Sequence, residues 1–144
     1  MIVLDTTILI YAVGDDHRLR EPSRALLELV RDGEVRASTT IQVIQEFCHV
    51  RARRRPAAEA AARARDYARG LTPLLRTEEG ELYQGLYLFE GSSGLSAFDA
   101  VLAATALGRG FALASADRAF AQVVGLAHLD PQSPAFLGMA RELG

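Results

Sequence analysis

The chain has 144 residues, 49% of them hydrophobic and 24% charged, with a formal net charge of −2. Such proportions describe one domain, residues 1–144, able to withdraw about 68–70% of its unfolded surface from water, and exclude a disordered chain. One cysteine, Cys48, excludes an internal disulfide framework; with no basic leader and no apolar run near about 20 residues, a soluble cytoplasmic protein without membrane contact is expected.

Charge is unevenly placed. All 16 basic residues are arginine, and seven of them (Arg51, Arg53, Arg54, Arg55, Arg63, Arg65 and Arg69) share a stretch with only Glu59 and Asp66 as acids. A surplus of this kind suits phosphate contacts, Arg51, Arg53, Arg54 and Arg55 first among them, and equally suits a solvated helix face.

In chain order, Ile2–Leu4 reads as a buried strand, followed by a helix from Thr6 to Val13 that Gly14-Asp15-Asp16 breaks. Ala25, Leu26, Leu29 and Val30 have helical spacing and predict a helix over Ser23–Arg31, ended at Asp32-Gly33. Val35–Ala37 is a short strand. The next helix starts at Thr39 or Thr40, Thr39 and Gln42 matching a capping box. Pro56 suits the first turn of a helix over Ala57–Arg69 closed by Gly70. Leu71–Leu75 is a weak strand broken by Pro73. Thr77 then caps a helix whose first turn is acidic (Glu78, Glu79, Glu81), as the helix dipole favours.

Gly91-Ser92-Ser93-Gly94 reads as a loop, Ser96 and Asp99 open a helix closed at Gly108 and Gly110, and Phe111–Ala114 is a strand. A short helix over Asp117–Val124 and a last strand, Leu126–Leu129, follow. Strands alternating with helices predict an α/β fold with a central parallel sheet of four to five strands, helices on both faces and right-handed crossovers.

Four acids stand out in that frame. Asp5 ends the first strand, Glu46 lies within a helix, Asp99 opens an apolar helix and Asp117 follows the strand Phe111–Ala114. In an open parallel sheet the carboxyl ends of the strands share one edge, where ligands bind, so acids distant in sequence can converge there. Each has a plainer account: Asp5 and Asp117 as helix caps, Asp99 as half of a capping box with Ser96, Glu46 as a solvated acid. Together they repel unless a cation neutralises them, and Mg²⁺ or Mn²⁺ takes carboxylate oxygens while keeping waters and phosphate oxygens. Asp5, Asp99 and Asp117 are the expected ligands, direct or through water. Glu46 either ligates too or accepts the proton of an attacking water. Thr6, Thr7, Ser96 and Ser115 stand where a hydroxyl could orient these carboxylates.

The ordered set, Ile2-Val3-Leu4-Asp5-Thr6-Thr7, Glu46, Phe98-Asp99-Ala100 and Leu113-Ala114-Ser115-Ala116-Asp117, resembles the PIN-domain ribonucleases, most closely the single-domain VapC-type toxins of toxin–antitoxin pairs. Thr7 departs from the Asn or Ser more frequent in that family. The resemblance implies a Mg²⁺- or Mn²⁺-dependent endoribonuclease acting on single-stranded or looped RNA and leaving 5′-phosphate ends. It also implies a homodimer, for which Tyr83, Tyr87 and Phe89 are surface candidates, and a cognate VapB-type antitoxin.

Other chemistries lack their residues. His17, His49 and His128 are scattered and accompanied by one cysteine, which disfavours zinc. No lysine exists for a phosphate-binding loop or a receiver-type phosphoacceptor domain, and Thr7 stands where a dehalogenase-type phosphatase needs a second Asp. A catalytically silent module that only binds RNA or a partner is the remaining alternative.

Overall fold

The computed structural model describes residues 1–91 and 94–144. Its centre is a parallel sheet of β1 (Ile2–Leu4), β2 (Ala37–Ser38), β3 (Ala112–Ala114) and β4 (His128–Leu129), in the order β2-β1-β3-β4. Ile2 is in register with both Ala37 and Ala112, and Leu113 with His128. Ile2, Val3 and Leu4 are wholly buried, which is why the first strand is an unbroken apolar run rather than an alternating one.

Seven α-helices accompany the strands among the described residues: α1 (Thr6–Val13), α2 (Arg20–Arg31), α3 (Ile41–Ala52), α4 (Ala57–Gly70), α5 (Glu79–Gly91), α6 (Ala97–Gly108) and α7 (Phe136–Leu143). A 3₁₀ turn covers Arg118–Gln122. Helix α1 packs on α2 and α3, α3 on α4, and α5 along α6. No described helix is long and apolar enough to cross a membrane.

Several boundaries differ from expectation for identifiable reasons. The sheet has four strands, because Leu71–Leu75 is reduced to one parallel bridge between Leu75 and Thr40; Pro73 has no N–H to donate to a ladder. Helix α2 begins three residues before Ser23, and β2 is Ala37–Ser38, with Val35 buried but outside the ladder. Thr40, not Thr39, caps α3 by accepting from the Val43 N–H, while the Thr39 hydroxyl donates to the Leu4 carbonyl. At α5 the Glu81 carboxylate reaches back to the Glu78 N–H, and the helix starts at Glu79, one residue later than a Thr77 cap would set it. Ser92 and Ser93 of the expected loop lie outside the described residues, and α7 was not anticipated.

The chain leaves β1 toward β2 on one side and toward β3 on the other. The carboxyl end of β1 is therefore the point where strand order reverses, the place at which open α/β sheets form a crevice. Asp5 is the first residue beyond it.

Candidate metal-dependent active site

Asp5 follows β1 directly and caps α1, its side chain accepting from the Thr7 N–H at 3.3 Å. The same oxygen, Oδ2, also accepts from the Thr7 hydroxyl and the Ser115 hydroxyl, each at 2.7 Å. Oδ1 receives no hydrogen bond from a described side chain. The residue is only 4% exposed. Burial pushes its carboxyl above the usual carboxylate range, and the hydroxyls of Thr7 and Ser115 with nearby backbone N–H groups oppose that rise.

Ser115 follows β3 as Asp5 follows β1, and Leu4 and Ala114 are in register, so the parallel pairing brings the two side chains together. The Ser115 hydroxyl also accepts from the Asp117 N–H at 2.9 Å, and the Thr7 hydroxyl from the Ala116 N–H at 3.0 Å. His128 on β4 hydrogen-bonds the Ser115 carbonyl at 2.9 Å. One hydroxyl network thus ties the ends of β1 and β3 to the carboxylate between them.

Asp99 sits in the first turn of α6, in a capping box with Ser96 whose hydroxyl donates to Oδ2 at 2.6 Å. Both accounts of this residue hold: it caps its helix, and it lines the cleft. As expected from its sequence, α6 is buried along Ala100, Leu102, Ala103, Ala104, Thr105 and Ala106, which fixes Asp99 at the crevice. Its carboxyl is raised first by burial and then by the charges of Asp5 and Asp117, against the opposing Ser96 hydrogen bonds. Asp117 is exposed and accepts from the Ala119 N–H at 2.8 Å. Glu46 on α3 is exposed and accepts from the Thr6 hydroxyl.

All four acids line one cleft of about 740 Å³, together with Thr6, Thr7, Tyr11 and Arg51, Arg53, Arg54 and Arg55. Ser96 and Ser115 act on this cleft through the carboxylates they bond. The donor set, carboxylate oxygens without lysine or histidine, fits a hard divalent cation. Among the described residues no three of these groups already stand where one ion could join them. Each carboxylate is bonded to its own local donor: Asp5 to the Ser115 hydroxyl, Asp99 to the Ser96 hydroxyl, Asp117 to the Ala119 N–H and Glu46 to the Thr6 hydroxyl. A Mg²⁺ ion commonly uses one or two carboxylates and keeps its waters, and the cleft has room for both.

The arginines divide. Arg51 is committed to structure, its guanidinium bonding Glu59 at 2.6 Å and reaching the Val13 carbonyl. Arg55 pairs with Asp15 at 3.3 Å. Arg53 and Arg54 are exposed and have no carboxylate partner among the described residues.

A second cavity, of about 550 Å³, meets the same acids from the other side. Asp5, Glu46 and Asp99 line it with Val43, Leu82, Leu86, Phe98, Val101 and Leu102. Leu82, Leu86 and Phe98 are exposed, and so are Tyr83, Tyr87 and Phe89, which pack into no core. Sequence reading missed this groove and the place of Tyr11 in the cleft. The available signal for Tyr11 was its spacing of four from Thr7, which puts both on one face of α1.

A model of the PIN domain matches residues 2–126. Ribonuclease VapC7 of Mycobacterium tuberculosis is 47% identical over 149 residues, covering 100% of this chain and 99% of that protein. Ribonuclease VapC23 of the same organism is 32% identical over 101 residues, 69% of this chain and 78% of that protein. Two solved structures share the fold. The crystal structure of VapBC2 from Rickettsia felis, bound to a DNA fragment from their promoter, aligns with a TM-score of 0.71 at 15% identity, over 90% of this chain and 98% of that one. FitAcB from Neisseria gonorrhoeae gives 0.68 at 18% identity, over 91% and 98%. On its domain match and its full-length similarity to a curated relative, the chain belongs to the PIN-domain family, among the VapC-type ribonucleases.

Proposed function

We propose that this protein is a divalent-metal-dependent endoribonuclease, the toxin of a toxin–antitoxin pair, acting in the cytoplasm. The observation carrying this reading is the cleft at the carboxyl edge of the sheet, lined by Asp5, Glu46, Asp99 and Asp117. Family membership and the name of the full-length relative, a ribonuclease, support it.

Asp5, Asp99 and Asp117 would hold Mg²⁺ or Mn²⁺, directly or through water, with Glu46 beside them. When bound, the ion acidifies and orients a water and stabilises charge developing on the scissile phosphate. The protein's own part is positional. Thr7 and Ser115 fix Asp5 through Oδ2, so Oδ1 would be the oxygen left to hold the ion. Ser96 holds Asp99, and Thr6 holds Glu46 at the side of the cleft, where its free Oε1 can accept the proton of the attacking water. The attack needs no RNA 2′-hydroxyl, and the family resemblance implies that the 3′-oxygen leaves, taking up a proton, so that the products carry 5′-phosphates. Arg53 and Arg54 supply the positive field that an acidic centre lacks.

The apolar groove suits a partner segment that lays aliphatic side chains against Leu82, Leu86 and Phe98 and directs a cation at Asp5, Glu46 and Asp99. That is the expected mode for a VapB-type antitoxin. Tyr83 and Tyr87 follow Leu82 and Leu86 by one residue, about 100° round α5, and offer a face for a second copy of the chain.

The test is cleavage of single-stranded RNA by the purified chain. Activity should stop with chelator, return with Mg²⁺ or Mn²⁺, and vanish in Asp99→Asn with the fold intact. Full cleavage by chelator-treated Asp99→Asn would refute the mechanism.

A further inference from the structure

The acidic cleft has a second, chemically different end. Helices α1 and α3 follow adjacent parallel strands, pack together and form its two walls. On each, an acid lies nearer the sheet edge and other groups lie farther along. Asp5 caps α1 and Tyr11 is six residues on, about 9 Å of helix rise; Glu46 and Arg53 are seven apart, about 10 Å. The cleft is therefore lined by carboxylates near the sheet edge and by an aromatic ring and cations farther along its two walls.

Tyr11 is half-buried and lines the cleft, and no hydrogen bond from the described residues engages its hydroxyl. His17, beyond the break at Gly14-Asp15-Asp16, stacks on its ring with centroids 4.6 Å apart and planes 16° from parallel. The His17 ring is itself held by the Leu19 N–H donating to Nδ1 at 3.2 Å. One face of Tyr11 is thus covered by a neighbour that orders the ring. A ring ordered before binding loses little entropy when a base stacks on it, and base–aromatic stacking tolerates any base.

On the opposite wall, Arg51 and Arg55 are paired with Glu59 and Asp15, whereas Arg53 and Arg54 have no carboxylate partner among the described residues. His17 covers one face of the ring, so a base stacks on the other, and a base splayed out of its own stack, as in single-stranded RNA recognition, has a face free to do so.

We propose that Tyr11, backed by His17, is the stacking platform for an unstacked base beside the cleaved bond, and that Arg53 and Arg54 hold the phosphate beyond it. This rests on the ribonuclease reading and adds a nucleotide subsite to it. Selection is then for an unpaired, flexible nucleotide at one position rather than for a particular base there.

The probe is a fluorescein-labelled single-stranded RNA hexamer, intact or with one abasic nucleotide at each position in turn. Binding is read by anisotropy with Mg²⁺ in an Asp5→Asn background, which removes cleavage and one repelling charge. With Tyr11 present, one abasic position should weaken binding about 5- to 150-fold. Tyr11→Leu should lose a similar factor on intact RNA and become indifferent to that position, while Tyr11→Phe keeps both properties. Arg53→Ala and Arg54→Ala should each weaken every hexamer and reduce the salt slope by about 0.7. Uniform tolerance of abasic sites, undiminished sensitivity in Tyr11→Leu, or no RNA binding at all would overturn the subsite. Cleavage by the unaltered chain is scored separately. Its absence beside Tyr11-dependent binding sinks the nuclease reading alone, and its presence beside Tyr11-independent binding sinks the subsite alone.

Discussion

Gly85 is the position at which one added methyl group would cost most. It lies mid-way along α5, where that helix crosses α6. A Cβ there would stand 2.5 Å from Val101 Cα, 2.6 Å from its Cγ2 and 2.9 Å from its N. Ordinary contact begins at 3.4 Å, so the two helices must separate by about 1 Å, and no side-chain rotation can relieve a clash with main-chain atoms. Overpacking of this kind costs about 1–3 kcal/mol, here toward the upper end, against about 1 kcal/mol gained by replacing a helical glycine with alanine. The net loss for Gly85→Ala is about 2 kcal/mol, which lowers the thermal midpoint of a chain this size by about 4–8 °C. Function should suffer more than stability. Val101 is two residues from Asp99, and if Asp99 acts as proposed a displacement near 1 Å there costs about 100-fold in rate. Gly80→Ala, on the same helix with nothing within 4 Å of its added carbon, is the control and should be neutral or slightly stabilising. Circular dichroism melts in chelator, with RNA cleavage in Mg²⁺, check both. A Gly85→Ala protein that melts at or above the parent and cleaves normally would refute the reasoning.

Asp5→Asn should stabilise the metal-free protein at neutral pH, because Asn caps α1 as well as Asp does and the buried charge is gone. The sign follows from the raised folded pKa: the folded parent holds its proton more tightly than the unfolded chain, so its stability falls as pH rises from the ordinary carboxylate value, 3.8, through the folded one. The advantage of Asn should shrink in denaturant titrations taken toward pH 4, and a destabilised Asp5→Asn at pH 7 would contradict it. Arg51→Ala should lower the thermal midpoint through loss of its Glu59 and Val13 bonds, while Arg53→Ala leaves stability unchanged and weakens RNA binding; the reverse pattern would exchange their roles.

Parts of this fold were open to sequence reading and parts were not. The first strand and α1 came out at their observed ends because one is buried on every side and the other lies between a strong cap and a Gly-Asp-Asp break. Residue Val35 misled, since burial does not imply pairing: register with Ile2 and Val3 selects Ala37 and Ser38 for the ladder. Helix α7 carried a usable signal in Phe136 and Ala140, four apart and both buried. Each acid alone had a plainer account as a cap or a solvated side chain, and the four were legible only as an ordered set that the parallel sheet brings to one edge. Their hydrogen-bond partners were less so. Thr7 and Ser115 meet only because β1 and β3 are neighbours, and two strands 110 residues apart by Asp5 and Ser115 declare no partnership in the local pattern.

That partnership explains how the fold tolerates a buried carboxylate at this cleft. A buried carboxylate is ordinarily held by a cation from the protein, and a pairing arginine would satisfy Asp5 completely. Here hydroxyls do the holding: Thr7 and Ser115 donate to one oxygen, and neither brings a positive charge. No cation among the described residues offsets Asp5; Asp99 and Asp117 add their charges beside it, and under the proposed function a divalent cation would relieve that repulsion. The arginines meanwhile stand at the other end of the cleft, Arg51 tied off by Glu59 and Arg53 and Arg54 turned to solvent. Had one of them reached Asp5, the site would be more stable and would have no use for a metal. Under the proposed function, separation of acids from cations along α1 and α3 keeps a cation site open while still offering RNA a place to bind.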